Sequence, residues 1–566
     1  MKPLARLAFA ATGTLLVAGC AGTPTPEQLG TACAGLASRT VPASAIGLPS
    51  GAAAVKTAVL VKAVPGAVNG AAYTPALPEH CRVTGEIAAR SASAQPIRFQ
   101  LNLPTQWNGK ALQYGGGGFN GVLINGLAPL RDAAPGDPLP LARGYATFGT
   151  DSGHQAAASP PSDPGAFAQD DEMLENFAFA SYKKVRDVAV TLARDFYGRA
   201  PQRLYYFGGS EGGREGLTMA QRFPADYDGI VSVVPVINWT GLFHAFVRSS
   251  VPQFDDWLDA PKVALIAKAT NDACDALDGL ADGVVNHYLG CQPRVNLRIL
   301  RCPDGRDAGP QCLSERELAV MAGLHARTEF PFPLANGLTH YPPWLYGHED
   351  SLDGPQAPSL QRWVTGSAAP TVPPAAATAG THWLYGSNWI RHAVVRDAQF
   401  DVRGYRPEAF RERVQQTSAL MDSTNPDLSA FFARGGKLIV RENAADRAQS
   451  PLMGIEYHQA VVAKLGAATV ERSMRLYVSP SSTHTGNART VTDRRPIPTM
   501  ADLLDPLDRW VSEGQAPPDA IVQTVRDALP PFAVQASRPM CRYPAYPHYT
   551  GGDARLAASY ACRPGN

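Results

Sequence analysis

Short apolar runs rich in β-branched and aromatic residues recur near 98–103, 110–114, 145–150, 204–207, 229–234, 437–440 and 474–478. Runs of that length between Gly- and Pro-rich stretches read as buried strands. Apolar positions return with helical spacing at 178–197, 211–222, 314–326, 407–417, 454–465 and 500–513. Strands and helices alternate up to about residue 235 and again after about 430, which predicts a parallel sheet covered by helices. The stretch between has few strand signals and reads as an inserted lid. The expected organisation is therefore an α/β domain at 33–235 and 430–566, interrupted by a lid domain at 236–429.

One strand ends in chemistry. Leu204-Tyr205-Tyr206-Phe207 runs into Gly208-Gly209-Ser210-Glu211-Gly212, and a helical pattern follows at once. Strand, Gly-x-Ser-x-Gly and helix together have the form of a nucleophile elbow, which lifts a serine hydroxyl clear of the backbone so that a histidine reaches it. A glycine-rich turn with an incidental serine is the plain alternative. An elbow needs an acid and then a base further along the chain. The loop after 437–440 carries Glu442 and Asp446, and the loop after 474–478 carries His484. Both loops leave the carboxyl ends of predicted strands, where open α/β sheets place their sites. His484 is the expected base and Asp446 the expected acid, with Glu442 a competitor in the same loop.

Composition adds the compartment. Lys2 and Arg6 precede an apolar run from Leu7 to Ala18, and small residues then lead to Cys20. The run is too short to span a bilayer, so 1–19 reads as a lipoprotein signal peptide, Cys20 as the lipidated residue and 20–32 as a tether; a plain secretory leader is the alternative. Export follows either way, to the outer membrane, periplasm or cell surface by a lipid anchor, or as a secreted protein. With Cys20 set aside, Cys33, Cys81, Cys274, Cys291, Cys302, Cys312, Cys541 and Cys562 form an even set without zinc-ligand spacing, as disulfides of an exported protein would. Pairing of sequence neighbours is the simplest connectivity, and sequence alone does not fix it. A formal charge of +1 over 566 residues gives no electrostatic reason to bind nucleic acid. A monomer is expected. The 52 glycines and 49 prolines fit many turns and long connections, among them an irregular loop at 366–381.

Ordered motifs then carry a family resemblance. They are Leu77-Pro78-Glu79-His80-Cys81, Trp107-Asn108-Gly109, Gly115-Gly116-Gly117-Gly118, the 208–216 elbow, Arg222-Phe223-Pro224, Tyr227-Asp228-Gly229-Ile230-Val231, the 274–283 loop and Gly435-Gly436-Lys437. With these and the cysteine order, the chain resembles the tannase and feruloyl esterase family, which includes bacterial mono-hydroxyethyl terephthalate hydrolases. The resemblance implies an α/β-hydrolase fold, with Ser210, Asp446 and His484 as nucleophile, acid and base. It also implies an oxyanion hole from the backbone N–H groups of Gly118 and Glu211. A structural calcium would be held by Asp275, Asp278 and Asp282 with the carbonyls of Leu280 and Val284, a hard-oxygen set of the kind calcium prefers. An acidic surface turn is the plain reading of that loop.

Two departures stand out. Relatives carry a bonded cysteine pair where this chain has Gly209 and Thr485, and a histidine where it has Glu442. In the lid, His382, Trp383, Tyr385, Trp389 and Phe400 offer aromatic surface for a planar acyl group, and none is singled out as a contact. The expected activity is hydrolysis of small aromatic esters of feruloyl, galloyl or terephthaloyl type. The alternatives are a lipase or peptidase of the same fold and a non-catalytic, ligand-binding surface lipoprotein.

Overall fold

The computed structural model describes residues 26–353 and 357–565. The leader, Cys20 and the start of the tether lie outside the described residues. Residues 26–32, expected as tether, belong instead to the helix Pro26–Leu36, whose Leu29 and Cys33 are buried. Leu29 and Cys33 fall one helical turn apart and share one face, which the sheet covers.

Twelve strands form one mixed sheet: β1 (Thr40–Val41), β2 (Ala53–Val61), β3 (His80–Ile87), β4 (Ile97–Pro104), β5 (Lys110–Tyr114), β6 (Ala146–Thr150), β7 (Arg203–Gly209), β8 (Gly229–Val233), β9 (Lys437–Asn443), β10 (Met474–Ser479), β11 (Ala520–Arg526) and β12 (Val534–Arg542). Their spatial order is β1-β2-β3-β4-β6-β5-β7-β8-β9-β10-β12-β11. The six from β6 to β10 run parallel, and antiparallel strands extend both ends. Every residue of β8 and β10 is buried, as continuous apolar runs covered on both faces require.

The helices used below are α1 (Ser181–Tyr197), α2 (Glu211–Arg222), α3 (Trp239–Ser250), α4 (Ala260–Cys274), α5 (Glu315–Leu324), α6 (Thr381–Trp389), α7 (Arg411–Met421), α8 (Pro451–Leu465) and α9 (Leu504–Glu513). Two expected helices start late. The 407–410 stretch is a 3₁₀ turn that opens with Pro407 before α7 begins. Helix α9 waits for Asp502, whose carboxylate accepts the Leu504 N–H.

Strands β8 and β9 are hydrogen-bonded neighbours, with Gly229 opposite Lys437. The insertion 234–436 therefore leaves the carboxyl end of β8 and returns to the amino end of β9, where Lys437 N–H donates to Asp228 C=O at 3.1 Å, and its segments 236–246 and 362–385 share a cavity with Ser210 and His484. The insertion is a mainly helical lid on an α/β-hydrolase fold, and the 366–380 stretch within it has neither helix nor strand. Disulfides join Cys33 to Cys81, Cys274 to Cys291, Cys302 to Cys312 and Cys541 to Cys562, the sequence-neighbour pairing. Among the described residues no helix is long and apolar enough to cross a membrane.

Candidate active site

The turn from β7 into α2 leaves no room for side chains. A Cβ on Gly208 would stand 2.2 Å from the Gly212 carbonyl oxygen, and one on Gly212 would stand 2.6 Å from that of Gly116. Ser210 sits between them at φ 60°, ψ −122°, a conformation costing about 1–3 kcal/mol for a residue with a Cβ. Backbone bonds hold it there: its N–H donates to Val233 C=O at 2.9 Å, and its carbonyl accepts from Gly213 N–H at 3.0 Å.

The structure brings Ser210, His484 and Asp446 together. His484 Nε2 lies 3.0 Å from Ser210 Oγ, and Nδ1 lies 2.6 Å from Asp446 Oδ2. A carboxylate only accepts, so Nδ1 carries the proton and Nε2 is left to accept from the serine hydroxyl. The other oxygen of fully buried Asp446 accepts the N–H groups of Ala448 at 2.7 Å and Gln449 at 3.1 Å, which fixes the carboxylate plane. Acid loop and base loop are tied to each other by Ala445 N–H to Ser482 C=O at 3.1 Å and by Asn443 Nδ2 to Thr483 C=O at 2.8 Å.

Glu442 faces elsewhere. Its Oε2 accepts from Gln449 Nε2 at 2.7 Å, and its Oε1 is packed so closely on α8 that a Cβ at Gly454 would come within 1.9 Å. Burial pushes this carboxyl well above the ordinary range, with the charge of Asp446 acting in the same direction. Turned into α8, the Glu442 carboxyl leaves the imidazole to Asp446.

The glycine run lies against the elbow. Gly115 N–H donates to Phe207 C=O at 2.9 Å, and Gly116 N–H donates to Glu215 Oε2 at 3.1 Å. Glu215 also accepts from Asn120 Nδ2 at 2.6 Å, and Asn120 Oδ1 accepts the Gly117 N–H at 2.5 Å. Gly118, at φ 59°, has Tyr385 Oη 3.0 Å from where a Cβ would stand. Gly118 and Glu211 line the same cavity as Ser210 and His484. The Glu211 side chain is turned away into a buried pair with Arg214; burial lifts its carboxyl to about 8 although the guanidinium opposes this.

That cavity is about 310 Å³, with a wall of Trp239, Phe243, Phe246, Trp363 and Tyr385. Of the lid aromatics noted in the sequence, Tyr385 reaches it. The other four pack: His382 stacks on Phe246, Trp383 meets Phe254, Trp389 meets Trp239, and Phe400 packs on Phe410. Three wall residues missed in the sequence come from α3, where Trp239, Leu242, Phe243 and Phe246 follow i, i+3, i+4, i+7. That spacing was the available signal.

Where a cysteine pair was absent, other groups fill the space. A Cβ at 209 would stand 2.1 Å from Arg131 Cδ, and Arg131 Nη2 donates to the His484 carbonyl. Thr485 donates its N–H to Asp353 Oδ1 at 2.9 Å.

In the 274–284 loop Asp275 Oδ1 accepts the N–H groups of Asp282, Gly283 and Val284 at 3.0–3.1 Å. Asp278 Oδ1 accepts the Leu280 N–H at 3.1 Å, and Asp282 Oδ2 pairs with Arg538 at 3.0 Å. Asp282 Oδ1 is buried without a partner, and burial lifts Asp278 to about 7. Asp282 Oδ1 is the one oxygen of these three carboxylates left to a hard cation, which would share Asp282 with the Arg538 guanidinium. A second acidic group, Asp256, Asp307 and Glu317, has ligand atoms within 4.8 Å of one another and could coordinate a divalent ion by that spacing. The Lys262 ammonium already serves as its cation, 2.7 Å from Asp307 and in contact with Glu317.

The family model described as tannase and feruloyl esterase matches residues 81–563. The chain belongs to the tannase and feruloyl esterase family. It is 34% identical over 552 residues to an uncharacterized esterase of Agrobacterium fabrum, covering 95% of this chain and 94% of that protein. It is 32% identical to the mono(2-hydroxyethyl) terephthalate hydrolase of Piscinibacter sakaiensis, covering 91% and 89%. Feruloyl esterase B from Aspergillus oryzae shares the fold, with a TM-score of 0.74, 21% identity and coverage of 94% of this chain and 100% of that one. As a member of this family the protein is a hydrolase of small carboxylic esters.

Proposed function

We propose that the protein is an exported serine esterase acting on small aromatic esters of feruloyl, galloyl or terephthaloyl type. The observation that carries this reading is the Asp446–His484–Ser210 chain of hydrogen bonds, at 2.6 and 3.0 Å, opening on an aromatic-walled cavity. Ser210 Oγ attacks the ester carbonyl as His484 Nε2 takes its proton. The N–H groups of Gly118 and Glu211 stabilise the charge that develops on the carbonyl oxygen. Collapse transfers the His484 proton to the departing alkoxide and leaves an acyl-serine. Water then attacks, His484 accepts its proton, and the acid leaves as that proton returns to Ser210. Asp446 accepts from Nδ1–H throughout and so holds the imidazole in that tautomer.

The aromatic wall supports a planar acyl group, since flat rings of this kind stack on one another at little cost in order. A panel of hydroxycinnamate, gallate and terephthalate monoesters against aliphatic esters and peptides tests the reading. Aromatic esters should give the highest kcat/KM; preference for long aliphatic esters or for peptides would overturn it.

Export rests on the leader and on Cys20 as the lipidated residue, with the four disulfides in keeping with an oxidising compartment. We assign the structural cation to Asp275, Asp278 and Asp282 with the Leu280 and Val284 carbonyls. Calcium there would offset the crowded carboxylates and brace the lid, far from Ser210 in sequence. Metal analysis of protein purified without chelator should find about one calcium per chain. Removing it should lower Tm, because a ligand bound only by the native state adds stability by mass action. Absence of metal together with an unchanged Tm in chelator would return the loop to a plain acidic turn.

A further inference from the structure

The geometry points to Arg131 as a positioning residue for His484, acting through the histidine's backbone rather than its ring. The inference rests on His484 being the base. His484 lies in an irregular loop after β10, without a ladder partner of its own, so something must fix its main chain relative to Ser210. The Arg131 guanidinium spans the two segments. Its Nη2 donates to the His484 carbonyl, and its Cδ, Nε and Nη1 lie 2.1–2.8 Å from the position a Cβ would take on Gly209, the residue before Ser210. A cationic donor on a carbonyl makes a stronger bond than a neutral one, and the planar guanidinium keeps its direction once seated.

The adjacent residue anchors the bridge. Asp132 is buried at φ 62° and pairs with buried Arg441 Nη1 at 3.1 Å, and its carbonyl accepts the Ala501 N–H at 2.8 Å. Its Oδ1 abuts Gly486, two residues beyond His484, so closely that a Cβ there would stand 2.1 Å away. On the opposite flank Asp353 of the lid accepts the Thr485 N–H. The base loop is thus gripped from the core by Arg131-Asp132 and from the lid by Asp353. Gly209 acquires a reason that the elbow alone does not supply: any side chain there evicts the guanidinium.

Arg131 also lines the cavity, and its Nε is buried without an acceptor, so contact with the substrate is the rival role. Kinetics separate the two. Arg131→Ala should lower kcat by about 10- to 100-fold, the usual consequence of a small misplacement of a catalytic group, with KM for the same ester unchanged. Arg131→Lys should recover part of the loss, because an ammonium reaches the carbonyl without the planar fork. Gly209→Ala should reproduce the Arg131→Ala loss, and the double variant should be no worse than either single one, since both remove the same bond. An unchanged kcat in Arg131→Ala, a loss that falls mainly on KM, or additive losses in the double variant would each overturn the proposal. His484→Ala separates this from the functional reading. If it is inactive while Arg131→Ala is normal, only the bridge is refuted; if it stays active, the base assignment itself falls.

Discussion

Replacing Ser210 with alanine is expected to leave a folded, disulfide-bonded protein whose ester hydrolysis falls by something on the order of 10⁶-fold in kcat, the loss seen when a triad nucleophile is removed. The fold should survive because the elbow is held by main-chain contacts, Ser210 N–H to Val233 and Gly213 N–H to Ser210, which alanine keeps. The lost hydroxyl gives up one hydrogen bond, to His484. Alanine has the same Cβ as serine, so the backbone strain at φ 60° is neither added nor relieved. Circular dichroism and Tm check the fold, and initial rates on an aromatic ester check the chemistry. Near-normal turnover in a folded variant would remove Ser210 from the mechanism.

The second large effect separates two neighbouring carboxyls. Asp446→Asn should cost on the order of 10⁴-fold in kcat, because an amide facing Nδ1 favours the tautomer that leaves Nε2 protonated and unable to take the serine's proton. Glu442→Gln should keep most of the activity. Glu442 sits four residues earlier but is turned into α8 and bonded to Gln449, and burial raises its carboxyl well above the ordinary range, so an amide of nearly the same shape should be tolerated there. Measured side by side on one substrate, the opposite ranking would move the acid to Glu442 and contradict the hydrogen bond at 2.6 Å between Asp446 and His484.

The parallel heart of the sheet is legible because burial on both faces demands uninterrupted apolar runs, as at 229–234 and 474–478. The antiparallel flanks are harder to read. β3 is broken by Gly85, which the ring of Phe99 covers so closely that a Cβ would stand 2.4 Å away, and β12 contains Pro539, a residue that demotes a run as a strand. Both are tolerated because neighbouring strands supply what local propensity lacks. The elbow and the two loops are legible for a different reason: the chemistry needs those residue types in that order at the ends of strands. The lid is where pattern fails. Its aromatics were visible as composition, yet only packing decides that Tyr385 faces the cavity while Trp383 and Trp389 fill the core beneath it. Arg131 leaves no trace in sequence, since its contact with His484 spans 353 residues and depends on the absence of a side chain at Gly209.

The central claim is that Ser210 becomes acylated. Its most direct test is peptide mapping by mass spectrometry after reaction with a fluorophosphonate, and after acid quench of turnover on an activated aromatic ester. The account predicts one adduct per chain, on Ser210, absent from Ser210→Ala and strongly slowed in His484→Ala. An adduct on another residue, or full ester turnover with Ser210 unmodified under both conditions, would contradict it.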